Sequence, residues 1–187
     1  MNHTIKVPAP EVADSANRAS DMFNAGKINF GDLGPSEAGE YKYMKGSSDL
    51  GHIELTDAMK AMSLLVAQDL LYATVAHEAR HANDQQKGEL SNAEVMKGEI
   101  NAFHTEYEYL AAITHNGEEI ATSWLSLNAL AERTRNPVVK RAADYVFSLV
   151  ALYRTHGDEA RLKEYVEKMG YQEGQQAPKS SASPISS

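Results

Sequence analysis

Between Thr56 and Asp84 apolar residues recur at helical spacing, at Met59, Met62, Leu65, Val66, Leu70 and Val75, and the same alanine-rich stretch carries the string HEARH at 77–81. Thr56 or Asp57 can cap the start of this pattern, which predicts one long central helix running to about Asp84. The rest of the chain must pack around such a helix. Its polar residues then enter the interior, where they need partners or a use.

His77 and His81 stand four positions apart, one above the other on a single helix face, so both imidazoles can reach one metal ion. Glu78 falls about 100° round the helix from His77, close enough to reach a water at that metal without ligating it. The spacing suits the activation of water. Met59 and Met62, at this spacing, read as core packing rather than as a sulfur ligand pair.

Two histidines hold zinc poorly; a catalytic zinc site has three protein ligands and an open fourth position. The chain has no cysteine, which excludes disulfides and cysteine-based zinc or redox sites and leaves His, Asp and Glu as the available ligands. After the polar loop DQQKGEL, Ser91 and Glu94 form a capping box that predicts a new helix from near Asn92. Met96, Ile100, Phe103, Tyr107, Leu110 and Ala111 continue it to a stop at His115-Asn116-Gly117. Glu99 lies on this helix, which can return antiparallel to the central one. On a helical wheel it sits within about 100° of Ile100, Phe103, Tyr107 and Leu110, at the margin of the apolar stripe. Glu99 is therefore the best third ligand. Glu106, two turns further on nearly the same face, competes for the place, whereas His104 lies well round the helix and Glu94 is expected in the cap.

The other segments fall around this pair. Residues 11–25 carry Val12, Ala16, Ala19, Met22 and Phe23 at helical spacing, with Gly26 as the stop. A glycine-punctuated region follows, in which KINF, EYKYM and HIEL read as two or three short strands, with a turn at 46–49. Ile120, Trp124, Leu127 and Leu130 mark a helix over about 118–134, and Asn136-Pro137 caps and opens another through Val139, Ala142, Val146, Leu149, Val150 and Tyr153. That helix stops near Gly157, and Asp158 caps a last short one ending at Gly170. The Ser- and Pro-rich remainder, 171–187, reads as a disordered tail.

The fold class expected is thus α+β: a small antiparallel sheet followed by a mainly helical remainder, with 1–170 as a single domain. At 187 residues, 42% apolar and 24% charged, the composition is ordinary for one globular unit. A formal charge of −8 argues against a nucleic-acid or anionic-membrane partner, either of which needs a basic patch. Neither a secretory signal nor a spanning segment is apparent, so a soluble protein is expected, cytoplasmic by default, with export by a signal-independent route left open. Nothing in the sequence fixes the oligomeric state.

HEARH followed by Glu99 in the run Glu-Ile-Asn-Ala-Phe at 99–103 resembles the gluzincin arrangement of metallopeptidases, and in particular small bacterial metallopeptidase domains with HExxH and then ExxA. The resemblance covers about residues 50–112. It implies a zincin-like fold, one catalytic Zn2+ held by His77, His81 and Glu99, Glu78 as general base, and a peptide or protein as substrate. It further implies a residue that stabilises the oxyanion, for which His104, Tyr107, His115, Tyr153 and His156 are candidates. In such enzymes the strand before the motif helix is the edge that pairs with an extended substrate, a place that His52–Leu55 would take. For His52 and Glu54 themselves, simple alternation on a half-exposed strand is the preferred reading.

Three positions depart from the family pattern. Arg80 puts a charge where the motif is usually uncharged, Phe103 stands where an acidic residue often orients a histidine, and no third histidine follows in Asn83–Ser91. Two rivals remain on the sequence alone. One is a zinc hydrolase of a non-peptide amide; the other is a helical interaction domain in which HEARH is coincidental or degenerate.

Overall fold

The central strand of the sheet is the one whose apolar side chains are fully buried. In the computed structural model, which describes residues 10–33, 38–43, 51–65, 68–87, 95–114 and 117–171, β3 (His52–Thr56) is central, flanked by β1 (Ile28–Gly31) and β2 (Gly39–Lys42). Ile53 and Leu55 are fully buried and His52 and Glu54 half-buried, the alternation of a strand with one face on a core. Gly51 (φ 70°) leads into β3, where an added Cβ would come within 2.5 Å of the Lys42 carbonyl oxygen. Only glycine fits that entry.

Two expectations about the sheet are corrected. It is mixed rather than antiparallel: β1 pairs parallel with β3 (Ile28 opposite Ile53), and β2 pairs antiparallel with it (Gly39 opposite Leu55). The chain reverses twice between β1 and β3, so the two run the same way once β3 inserts between its predecessors. For the same reason His52–Leu55 offers no free edge. The edges belong to β1 and β2.

Around the sheet lie seven helices among the described residues: α1 (Pro10–Asn24), α2 (Asp57–Leu65), α3 (Gln68–Lys87), α4 (Val95–Ile113), α5 (Glu118–Thr134), α6 (Pro137–Tyr153) and α7 (Glu159–Lys168). The single long helix expected over 56–84 is instead two, α2 and α3. Ala58, Met59 and Met62 bury one face of α2, which packs on α6, whereas α3 packs on α1 and α4. One straight helix could not serve both sets of partners. Met59 and Met62 are core residues, as their spacing implied.

α3 is buried nearly all round, from Ala73 through Ala79 and again at Ala82, Asn83 and Asp84. Its alanines at 73, 76, 79 and 82 let neighbouring backbones approach closely. Asn136 accepts a hydrogen bond from the Val138 N–H at 2.9 Å to cap α6, and Asp158 accepts one from the Arg161 N–H at 3.1 Å to cap α7. Phe23, expected on the buried stripe of α1, is 67% exposed, and Met22 takes the core position. The Ser91–Glu94 capping box, the turn at 46–49, His115 and residues 172–187 lie outside the described residues. Among the described residues no helix is long and apolar enough to cross a membrane.

Candidate metal centre

α3 and α4 pack antiparallel, and their contact faces carry the motif residues. His77 Nε2 and His81 Nε2 are 3.2 Å apart, and each lies 3.6 Å from an oxygen of the Glu99 carboxylate. One donor atom from each of these three residues falls within 4.8 Å of the others. The structure thus brings together the two histidines of the helix face and the glutamate placed at the margin of the next helix.

Glu106 stands behind this group instead of in it. Its Oε2 is 3.3 Å from His77 Nδ1, the ring nitrogen turned away from Glu99, within ion-pair reach but off the line of a hydrogen bond. Its Oε1 accepts a hydrogen bond from the Tyr145 hydroxyl at 2.8 Å, and that hydroxyl also meets Thr74 Oγ1. A carboxylate there favours the proton on Nδ1, which in the neutral ring leaves the Nε2 lone pair on the side of Glu99. Phe103 covers the His77 ring edge-on with centroids 4.5 Å apart. The acidic group beside the His77 ring is thus Glu106, three residues after Phe103 on the same helix.

Glu78 lies outside the donor cluster, against β2. Thr56 N–H donates to the Ala38 carbonyl at 3.0 Å, so alternation places the Glu40 and Lys42 backbone groups toward β3 and those of Gly39 and Tyr41 outward. The outward Tyr41 N–H bonds the Glu78 carboxylate. A Cβ on Gly39 would sit 3.0 Å from Glu78 Oε1 and 3.0 Å from Leu55 Cδ2, so the glycine gives the carboxylate its room.

Burial dominates the electrostatics. It pushes Glu78 up to about 7, against the lowering effect of His77 and the Tyr41 N–H and with help from Glu99 and Glu106. Burial also pulls His81 down to about 4, despite the Glu99 charge, with His77 and Arg80 adding to the fall. At His77 burial lowers the pKa, but the Glu106 and Glu99 carboxylates and the Glu78 charge outweigh it and hold the imidazole well above its ordinary value. Glu99 is pushed up by burial yet ends below its ordinary value because of His81, His77 and a hydrogen bond from Tyr171.

Arg80 is reconciled with its position by an ion pair: its Nε lies 2.8 Å from Asp84 Oδ1, one turn on, and Asp84 is only 1% exposed. The charge within the motif is thus paired with a buried carboxylate.

The donor set fits a divalent transition metal. Two imidazoles and a carboxylate suit zinc, and three buried carboxylates, Glu78, Glu99 and Glu106, surround only two histidines. Glu99 Oε2 and His77 Nδ1 are buried without an aligned hydrogen-bond partner. A cation among them would offset that charge and use the free oxygen.

His77 and Glu78 open onto a cavity of about 460 Å³, which Met59, Phe103, Glu106 and one face of α6 also line. None of the described oxyanion candidates reaches it: Tyr107 and Tyr153 pair with each other, centroids 6.0 Å apart, and His104 and His156 are absent from its walls. Tyr145, Tyr165 and Tyr171 line it instead. Tyr171, which composition places at the start of the tail, hydrogen-bonds Glu99. No protein-family model, curated protein or solved structure matches the chain.

Proposed function

We propose that the chain is a zinc-dependent metallopeptidase, on one observation: His77, His81 and Glu99 converge, and His77 and the adjoining Glu78 line a cavity. His77, His81 and Glu99 would hold Zn2+, which when bound supplies Lewis-acid activation of water and polarisation of a carbonyl. Glu78 is the general base. A carboxylate brought up to about 7 is matched to taking a proton from water near neutrality and giving it up again. As the water oxygen bonds to the carbonyl carbon, Glu78 accepts its proton; as the C–N bond breaks, Glu78 returns that proton to the amine nitrogen. The Tyr41 N–H fixes the carboxylate on the cavity side.

Glu106 keeps the His77 lone pair on the metal side, and Tyr171, which lines the cavity, would turn its hydroxyl from Glu99 to donate to an oxyanion. With β3 central, an extended substrate would pair along the open edge of β2, where the Gly39 backbone groups face outward beside Glu78. The test pairs zinc stoichiometry with cleavage of a peptide library. Wild type should bind one zinc per chain and cleave, and Glu78→Gln should bind zinc equally while losing cleavage at least a hundredfold. Undiminished cleavage by zinc-loaded Glu78→Gln would remove Glu78 from this role.

A further inference from the structure

The cavity beyond His77 and Glu78 has a chemical asymmetry that the hydrolytic reading leaves unused. α6 contributes Arg141, Asp144, Tyr145, Ser148 and Leu149, which at this spacing form one helix face. Met59, Phe103 and Leu149 make part of the walls apolar. Of the charged groups on the walls, Glu106 is engaged with His77 and Tyr145, Glu78 with the Tyr41 N–H, and Asp144, at the exposed rim, with Lys140.

Arg141 is the exception. It is half-buried and makes no hydrogen bond or ion pair among the described residues. A guanidinium stays charged at any pH the protein meets, and its planar fork of donors matches a carboxylate two bonds at a time. Leaving it unpaired on a partly desolvated wall is unfavourable unless a ligand supplies the anion.

Arg141 precedes Tyr145 by one helical turn, about 6 Å along α6, Tyr145 donates to Glu106 at 2.8 Å, and all three share the cavity wall with His77 and Glu78.

We propose, resting on the metallopeptidase reading, that the cavity seats the C-terminal end of a peptide and that Arg141 pairs with its α-carboxylate. The preferred substrates are then peptides with a free C-terminus and an apolar last side chain against Met59, Phe103 and Leu149. A side-chain carboxylate would have to displace those apolar contacts, which is why the α-carboxylate is assigned.

Calorimetry tests the pairing without turnover. Acetyl-Phe-Leu, its C-terminal amide and acetyl-Phe-Glu amide are titrated into zinc-loaded Glu78→Gln protein and into chelator-treated wild type, which has no metal to hold a carboxylate. The free acid should bind about tenfold more tightly than its amide in both forms, the scale of one charge-assisted contact. Arg141→Met should erase the difference, and Arg141→Lys, which keeps the charge without the fork, should retain part of it in a folded protein. Equal binding of acid and amide, or a preference that survives Arg141→Met, overturns the proposal. Tight binding of acetyl-Phe-Glu amide moves the carboxylate to a side chain and overturns the α-carboxylate assignment. Equal cleavage of acids and amides by wild type overturns it while leaving the peptidase reading intact. An acid preference in a protein that cleaves nothing supports Arg141 and removes the peptidase reading.

Discussion

Glu106→Gln separates a carboxylate that positions a ligand from one that is a ligand. Glutamine keeps the size of the side chain, and its oxygen can still accept from Tyr145, at 2.8 Å in the wild type. What changes lies 3.3 Å away, at His77 Nδ1. An ionised acceptor there is worth about 1.5–3 kcal/mol against about 1 kcal/mol for a neutral amide. The loss of about 1–2 kcal/mol corresponds to about 5–30-fold in metal affinity, at the lower part of the range of about 10–100-fold typical of carboxylates behind metal-bound histidines. A second effect acts in the same direction. If the amide turns its NH2 to Nδ1, the imidazole proton moves to Nε2 and blocks the donor atom that faces Glu99. The assay is competition for zinc against a chromophoric chelator, with urea unfolding to show that the variant is folded. Unchanged affinity in a folded variant would refute the reasoning, and a larger loss in Glu106→Gln than in Glu99→Gln would exchange the roles of the two residues.

Four further outcomes follow from particular contacts. Arg80→Ala leaves Asp84 buried without its counter-charge and should cost about 3–5 kcal/mol in urea unfolding, whereas a change below 1 kcal/mol would show the pair to be dispensable. Gly39→Ala sets a methyl 3.0 Å from Glu78 Oε1, so it should lower hydrolysis more than zinc affinity; equal loss of both would place the effect in the fold. Tyr171→Phe should slow hydrolysis about tenfold or more with KM little changed, since one oxyanion donor is lost, and full activity would clear Tyr171 of that role. The metal-free protein should lose stability as pH rises above 6.5. Folded His77, with its raised pKa, still holds a proton there that the unfolded chain has released, and Glu78 does the same up to about 7. The lowered groups, His81 and Glu99, act only at lower pH. Zinc-loaded protein should show no such loss, because deprotonation of the ligands favours the metal; parallel curves would contradict the assignment.

What could be read from the sequence was what local geometry determines. Two histidines four apart on a helix share a face whatever the fold, and a glutamate at the edge of the next apolar stripe faces the helix it packs on; hence His77, His81 and Glu99 meet. A helical wheel gives a direction but not the nitrogen at the far end of it, so Glu106 could be seen as sharing that face but not as lying behind His77. The strand order depended on a competition among three short segments for the central place, which Ile53 and Leu55 won through burial that no single strand reveals. The division of α2 from α3 had the same origin, since it reflects two packing partners, neither of them local. Tyr171 was hidden by its neighbours, because a Ser- and Pro-rich composition describes the segment and not the one aromatic residue at its start. Arg141 carried no signal at all until the cavity existed.

The most direct test is a crystal structure of zinc-soaked protein with anomalous diffraction recorded at the zinc edge. The account predicts one zinc per chain, bound by His77 Nε2, His81 Nε2 and a Glu99 oxygen at about 2.0–2.2 Å, with Glu78 facing the open position and Glu106 behind His77. No anomalous peak between α3 and α4, or a zinc ion held by residues other than these three, would contradict it.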